Sequence, residues 1–347
     1  MQRPSDGEFV RRVLIAAGIV LLGWALFSVR DLLLVILAAL LLSLALRAAA
    51  EGLHRRLGVP LRWALAFTIL AVLALLGAAA WLFGAEVVAQ VDVLREALPR
   101  AWNALLQRYG DTVVADQLRS RMADASPDGA ALLAGVGAAV STVTGVAGAV
   151  LLAFVGAIYL AADPDLYQAG LLKLVPGPRR DLAHVALGET ARALRLWLLG
   201  QLVSMSVIGV LTGLGLAWVG LPSALALGLL AGLLAFVPLV GPIVSAIPAL
   251  LLALADGAAT VGWTLAVFVG VQQIEGNVVM PFVQRRMVDL PPALLLFAIV
   301  AAGTLLGPLG ALLAAPLTVV VFVLVKRLYV REALDTPTPL PGEERGD

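Results

Sequence analysis

The chain contains no cysteine and carries little charge. The missing cysteines exclude disulfide bonds, thiolate metal sites and iron–sulfur clusters. Charged residues make up 14% of the 347 residues and hydrophobic residues make up 61%, whereas about a quarter of an average soluble domain is charged. A globule of this size needs a charged surface in water. The composition therefore excludes a soluble protein and indicates a membrane protein.

Further absences narrow the function. The net charge of +1 leaves no basic surface for a nucleic acid. No GxxxxGK[ST] loop is present, so the chain is not expected to hydrolyse ATP itself. The two histidines, His54 and His184, lie far apart in polar segments, and no acid–base, nucleophilic or metal-ligating group of residues is visible. We therefore expect no enzyme activity, no bound metal and no cofactor.

What the sequence has instead is long uncharged runs. Residues 196–255 contain no Asp, Glu, Lys or Arg, and an apolar run of about 18 residues or more is typical of a membrane-spanning helix. We predict an all-α polytopic membrane protein. Residues 1–85 are expected to form three transmembrane helices, the first two joined by a turn at Arg30 and Asp31. Residues 130–162 are expected to form a fourth, rich in small residues.

Two polar segments separate these helices from the rest of the chain. Residues 86–129 carry apolar side chains at three- and four-residue steps, which is typical of an amphipathic helix. Residues 163–195 are also amphipathic, with a break at LVPGPRR and a helix from about Asp181. When the turn at Arg30 and the segment 86–129 lie outside and the N-terminus, the other polar segments and the tail 326–347 lie inside, eighteen of the 24 basic residues are cytoplasmic. We therefore expect a multi-pass protein of the inner (plasma) membrane with both termini cytoplasmic.

The last third of the chain does not divide into ordinary spans. Residues 222–255 and 290–325 are uncharged runs of 34 and 36 residues, and helices of that length would measure about 51 and 54 Å, against a hydrocarbon core of about 30 Å. A Gly-Pro pair interrupts each run near its middle, and proline breaks or kinks a helix. We predict a transport core, residues 196–325, with two inverted hairpins added to about six full spans. The alternative is eight plain spans, two of them kinked.

Broken helices at membrane depth are costly unless they line a cavity, and they are the best sequence indication of a transporter's binding site. The expected function of these breaks is to bind a small polar solute through freed backbone groups. The alternative is a kink needed only for packing. The candidate residues at the two tips are Pro238, Gly241, Pro242, Gly307, Pro308 and Gly310.

Glu275 is the only carboxylate inside a predicted span. It lies in a polar cluster with Gln272, Gln273 and Asn277. An intramembrane ionisable residue is a functional hypothesis by default, here proton exchange during a transport cycle. The alternative is an interfacial carboxylate bonded to a nearby helix end. Three polar residues of the preceding span, Gln201, Ser204 and Ser206, are expected to form interhelical hydrogen bonds.

A stripe of small residues runs along one face of the helix at 130–162. Small residues let helix backbones approach closely, so the stripe predicts a helix–helix contact, within one subunit or between subunits. The stripe consists of Gly137, Ser141, Gly145, Ala149, Ala153 and Ala157.

Five stretches have a distinctive sequence: LRLWLLGQL at 194–202, GLPSALALGLL at 220–230, FVPLVGPIVSAIPALLLAL at 236–254, VQQIEGNVVMPFVQRRMVDLPP at 271–292 and GTLLGPLGALLAAPL at 303–317. With them the chain resembles the autoinducer-2 exporter family of bacterial permeases. The resemblance implies an oligomeric transporter of the bacterial inner membrane. Some relatives are associated with export of a quorum-sensing furanone and others with sodium/proton antiport.

Three functions remain open on this reading. The first is a secondary transporter that exports a small polar organic solute resembling autoinducer-2 by alternating access. The second is an antiporter that exchanges Na⁺ for H⁺ through Glu275, and the third is a membrane scaffold without transport. The expected partners are a small molecule or ion, the lipid bilayer and further copies of the chain in a homo-oligomer, with no nucleic acid.

Overall fold

The computed structural model describes residues 14–77, 148–281 and 291–338, except residues 16, 19, 20, 22, 26, 76, 239 and 337. Every element assigned in these ranges is helical, which confirms the predicted all-α class for this part of the chain. The predicted amphipathic segment 86–129 and the first part of the fourth span lie outside the described residues, as do Gly137, Ser141 and Gly145.

Helix α1 comprises Arg30–Leu57 and ends at Gly58, which has a φ of 69°. The helix break lies at Val29, with φ −101° and ψ 14°, one residue before the predicted turn at Arg30 and Asp31, and both charged residues lie in the first turn of α1. Asp31 is favourable there beside the positive end of the helix dipole, and the Arg30 guanidinium lies 4.1 Å from the centre of the Phe27 ring. Both charges are thus accommodated within a helix. Backbone hydrogen bonds continue across the junction, from Val29 to Ala25 and from Leu33 to Val29.

Three shorter helices follow, α2 at Leu61–Leu75, α3 at Gly148–Ala162 and α4 at Pro164–Lys173. Helix α3 packs against α1 through small residues, because Ala157 and Ala161 are buried in one cluster with Leu46. The small-residue stripe therefore makes contacts within the chain over this part of its length.

Helix α5 is a single rod of 40 residues, Arg180–Val219. It begins within one residue of the predicted start at Asp181. The division expected between residues 195 and 196 falls inside the rod, so the polar segment and the following span are one continuous helix. No proline or glycine break occurs near Arg195 to interrupt the backbone hydrogen bonds.

Residues 222–255 fold as a helical hairpin, hairpin 1, with arms α6 at Ala224–Leu234 and α7 at Val240–Asp256. The start of α6 and the end of α7 share one buried cluster, which includes Leu227 and Ala249, so the arms run antiparallel. At the break, a Cβ atom on Gly241 would collide with the carbonyl of Leu234. Only glycine therefore lets the second arm start directly on the end of the first.

Helix α8 follows at Ala258–Ile274 and widens into a π-type turn at Glu275–Val279. It packs against α5, where a Cβ on Gly215 would touch the side chain of Val267. Ile208 of α5 and Val271 of α8 belong to one buried cluster at the same interface.

The last helical segment is α9 at Pro292–Leu324. It reverses its direction at Gly307, and its two arms form hairpin 2. Gly307 has φ 73° and ψ −164°, a conformation open essentially to glycine alone. Ile299 and Ala314 share a buried cluster, although a straight helix would separate them by about 22 Å. Gly303 would likewise touch Ala311 through a Cβ atom. The geometry of both broken segments therefore matches hairpins rather than long kinked rods.

By length and apolar composition, Arg30–Leu57 and Gly177–Val219 can each cross a membrane, and Ala293–Arg331 is long enough only when both arms of hairpin 2 are counted together. A fourth candidate is the pair formed by α3 and α4, which is bent by 91°. The fold is thus that of an all-α membrane protein, and the number of complete spans stays a prediction.

Candidate functional site

The tip of hairpin 1, residues 235–241, lies against the middle of α5. The Gln201 Nε2 donates a hydrogen bond of 2.7 Å to the Ala235 carbonyl. One turn away, the Trp197 and Phe236 rings meet edge to face with centroids 5.7 Å apart. A polar and an aromatic contact therefore hold the tip on α5.

Backbone amides of this tip already have partners. Those of Phe236 and Val237 donate to carbonyls in the last turn of α6, at 3.2 and 3.0 Å, and those of Val240 and Gly241 donate to Pro238 and Val237, at 2.8 and 2.9 Å. These four amides are thus not the free donors that the sequence led us to expect at the break. Pro238 and Pro242 are half-buried, and Gly241 is buried.

The tip of hairpin 2, residues 306–310, reaches the same buried cluster as the tip of hairpin 1. Leu306 and Leu309 pack against a cluster of α1, α5 and α9 residues that contains Trp197, and Phe236 packs against it as well. Gly310 is buried against the backbone of Ala302, whereas Gly307 is half-buried and Pro308 is exposed. Two breaks separated by about 70 residues of sequence thus meet at one core.

Glu275 is held by side chains of two helices. Ser204 Oγ on α5 donates to its Oε1 at 2.7 Å, and Gln272 Nε2 on α8 donates to its Oε2 at 2.8 Å. Ser204 is buried and Glu275 is half-buried. These contacts differ from the alternative in which the carboxylate bonds to a helix end.

The remaining polar candidates point to a more limited site than the sequence suggested. The exposed Asn277 donates to the carbonyl of Gln273, which is also exposed. Gln201 and Ser204 form the expected interhelical bonds, but Ser206 bonds to the Leu202 carbonyl of its own helix. The site is therefore the α5 face with Gln201 and Ser204, together with Glu275, Gln272 and the tip of hairpin 1. No group of metal-ligating residues occurs within the described ranges.

Charged residues gather at one end of the molecule. Arg195 of α5 contacts Glu51 of α1 at 2.8 Å, and Arg327, beyond hairpin 2, contacts Glu189 of α5 at 3.5 Å. Arg47 also contacts Glu51 at 3.5 Å. These residues come from segments that the charge distribution placed on the same side of the membrane.

A pair of aromatic residues marks the other end of α5. The Trp218 and Trp263 rings meet edge to face at 5.4 Å, and both are exposed. Tryptophan is enriched where helices leave the hydrocarbon core. Arg195 and Trp218 are separated by about 35 Å along a helix, which fits a bilayer with a core of about 30 Å.

Four glycines that the sequence reasoning missed fix hairpin 1 to α5. Gly228 and Gly232 of α6 lie so close to Gly209 and Gly213 of α5 that a Cβ on Gly228 would overlap the opposing backbone. Each helix carries a GxxxG spacing, a known signal for close packing of membrane helices. Of the predicted small-residue stripe, Ala149 is half-buried, while Ala153 and Ala157 are buried.

The fold and this site define a polytopic helical membrane protein in which two hairpins broken at glycine and proline meet on one helix. The chain belongs to the AI-2E transporter family, whose model matches residues 13–329.

The chain is 32% identical over 168 residues to the Bacillus subtilis protein named "Putative transport protein YrrI", a match that covers 48% of this chain and 47% of the relative. It is 40% identical over 105 residues to the Mycobacterium tuberculosis protein named "Putative transport protein MT0215", covering 30% and 29%. With "AI-2 transport protein TqsA" of Escherichia coli it shares 32% identity over 126 residues, covering 35% and 36%. The chain thus matches about half or less of the length of these relatives.

Proposed function

We propose that the protein is a secondary transporter that exports a small polar organic solute resembling autoinducer-2 across the bacterial inner membrane. The observation that carries the proposal is the meeting of two glycine- and proline-broken hairpins at one cluster beside Gln201, Ser204 and Glu275. Paired broken segments are the usual position of the binding site in transporters with inverted repeats. Family membership supports a transport function.

In this proposal the solute passes between the tip of hairpin 1 and α5. The hydrogen bond from Gln201 to Ala235 and the contact between Trp197 and Phe236 close the passage, and both contacts break when the tip moves away. The solute then replaces Ala235 as the hydrogen-bond acceptor of Gln201. Alternating access follows when the two hairpins open in turn. Within residues 222–325, the tips of the two hairpins are the proposed moving parts.

The proposed topology has six full spans and two hairpins that enter from opposite sides, with both termini cytoplasmic. The contacts Glu51–Arg195 and Glu189–Arg327 support one common side for these segments. A homo-oligomer belongs to the same proposal, since the family resemblance implies one. The small-residue helix at 130–162 is proposed to stay fixed while the hairpin tips move.

A second candidate function is exchange of Na⁺ for H⁺. It is favoured by one observation, the carboxylate of Glu275 between Ser204 and Gln272. A carboxylate with neighbouring oxygen atoms can bind Na⁺ or a proton in turn. A scaffold without transport explains neither this cluster nor the paired hairpins.

Proteoliposomes that contain a pH-sensitive dye separate these functions. An antiporter moves protons when Na⁺ is added without an organic solute. An exporter gives a signal only when its solute is present. Testing a panel of polar metabolites in everted vesicles would identify that solute. If neither Na⁺ nor any member of the panel is moved by protein that is correctly inserted, the transport proposal fails.

A further inference from the structure

Helix α4 leaves the membrane-type helix α3 at a right angle. The bend between them is 91°. It arises at Asp163-Pro164, because proline cannot continue the hydrogen bonds of α3, and the Asp163 carboxylate caps the new helix by accepting from the Leu166 amide at 3.2 Å. A helix perpendicular to one that crosses the bilayer lies along the membrane surface.

The side chains of α4 divide into three faces at 100° per residue. Pro164, Gln168 and Leu172 are half-buried toward the protein. A second face, made of Leu166, Tyr167 and Leu171 and continued by Leu174 directly after the helix, is apolar and exposed, with 63% of Leu166, 54% of Leu171 and 82% of Leu174 accessible.

The third face is polar or small and holds Asp165, Ala169 and Lys173. No residue of α4 is buried. A helix with one exposed apolar face and one polar face is typical of the membrane–water interface.

Basic residues cluster at the C-terminal end of this helix. Arg180 folds back and donates to the Leu172 and Val175 carbonyls at 3.1 and 3.4 Å, which holds the connection between α4 and α5. Lys173, at the end of α4, and Arg179, in the connection to α5, are both exposed. Long basic side chains at the end of an interfacial helix can reach lipid phosphates while apolar side chains of another face enter the acyl region.

We propose that α4 is an interfacial helix that docks on an anionic leaflet of the bilayer. Leu166, Tyr167, Leu171 and Leu174 enter the boundary between headgroups and acyl chains, while Lys173 and Arg179 bind headgroup phosphates. A lipid partner is favoured over a second copy of the chain because Asp163 alone separates α4 from α3. The exposed leucines therefore lie at the height where α3 leaves the hydrocarbon core. This docking does not depend on which solute is transported.

The absence of native cysteine allows a direct test on the full-length protein in nanodiscs. A spin label is attached to Leu171→Cys on the apolar face or, as the matched control, to Ala169→Cys on the polar face. Collisions with oxygen and with a water-soluble nickel chelate report the depth of each label. Each variant is measured in phosphatidylcholine alone and with phosphatidylglycerol added, and also in the background Lys173→Gln with Arg179→Gln.

The label at 171 is expected to show a several-fold higher oxygen-to-nickel ratio than the label at 169, and this ratio should rise when phosphatidylglycerol is added. The rise should disappear in the double glutamine background, with the elution profile in size-exclusion chromatography unchanged. Equal ratios at 171 and 169 would overturn the interfacial position. A ratio independent of phosphatidylglycerol would overturn the role of the headgroups, and dipolar broadening between labels at 171 would indicate a second copy instead of lipid.

Discussion

At the scale of single residues, two polar side chains of α5 hold different parts of the candidate site. Gln201 bonds to the tip of hairpin 1, and Ser204, nearly one turn further along, bonds to Glu275. Because both bonds start from one face of one helix, a displacement of α5 changes the tip and the carboxylate together. This pairing connects the tip of hairpin 1 to the Glu275 carboxylate through α5.

The change Gln201→Leu is expected to lower stability. It leaves the buried Ala235 carbonyl without its donor, and an unsatisfied buried group costs about 1–3 kcal/mol. Thermal unfolding in detergent measures the loss. Ser206→Ala is the matched control, since Ser206 is on the same helix, exposed, and bonded to its own backbone. Equal melting temperatures for the two variants would contradict a structural role for the bond.

The change Glu275→Gln is expected to make transport independent of external pH. It removes the carboxylate between Ser204 and Gln272 but keeps the length of the side chain and one acceptor oxygen. Solute or ion flux in proteoliposomes across a pH series measures the effect, with the exposed Gln273→Ala as control. An unchanged pH profile would assign Glu275 to structure alone.

The sequence made Glu275 conspicuous, because a single carboxylate in a long uncharged region is expensive to keep there. It did not indicate which residue Glu275 meets. Ser204 is 71 positions away, and only the folded arrangement of α5 and α8 brings the two together. The free backbone donors expected at Pro238–Pro242 were a poorer inference, since a tight turn can satisfy its own amides.

At the scale of helices, length arithmetic predicted both hairpins, because neither uncharged run fits one or two crossings. The turn predicted at Arg30 and Asp31 falls one residue late, because the break lies at Val29 and the helix that follows carries both charges in its first turn. The helix expected from about Asp181 and the span expected at 196–219 are one continuous helix, α5. The GxxxG spacings at 209–213 and 228–232 were readable from the sequence and would have paired α5 with α6.

The change Gly228→Leu is expected to separate α6 from α5 and to prevent correct folding of hairpin 1. A side chain there overlaps the backbone at Gly209 and Gly213. The yield of monodisperse protein in fluorescence-detected size-exclusion chromatography measures the effect. Gly262→Leu is the control, because a Cβ on Gly262 of α8 meets nothing within 4 Å. A normal yield of Gly228→Leu would contradict the close approach of the two helices.

At the scale of the whole molecule, the described helices form one connected body. The largest buried cluster joins α1, α5 and the second arm of hairpin 2, while α3 packs on α1. Hairpin 1 is fixed to α5 along its first arm, so its tip is the part that can leave α5 with the fewest broken contacts. Alternating access in this fold is therefore expected to begin with the tips.

Locking the tip of hairpin 1 to α5 is expected to stop transport. The changes Trp197→Cys and Phe236→Cys replace two rings in contact, and the chain contributes no other thiol. A short reducible cross-linker between them should abolish flux in proteoliposomes, and reduction should restore it. Each single cysteine variant treated with the same reagent is the control. Full transport in the cross-linked protein would rule out movement of the tip.

The length of α5 has a mechanical consequence. Its 40 residues measure about 60 Å, roughly twice the hydrocarbon core of about 30 Å. Only the part beyond Arg195 is uncharged, so the first part of α5, slightly more than four turns, is expected to project from the bilayer. Because α5 is one unbroken helix, a rotation of its projecting end is expected to rotate the face with Gln201 and Ser204 as well. The ion pairs Arg195–Glu51 and Arg327–Glu189 join that end of α5 to α1 and to the segment after hairpin 2, and we expect them to resist its rotation.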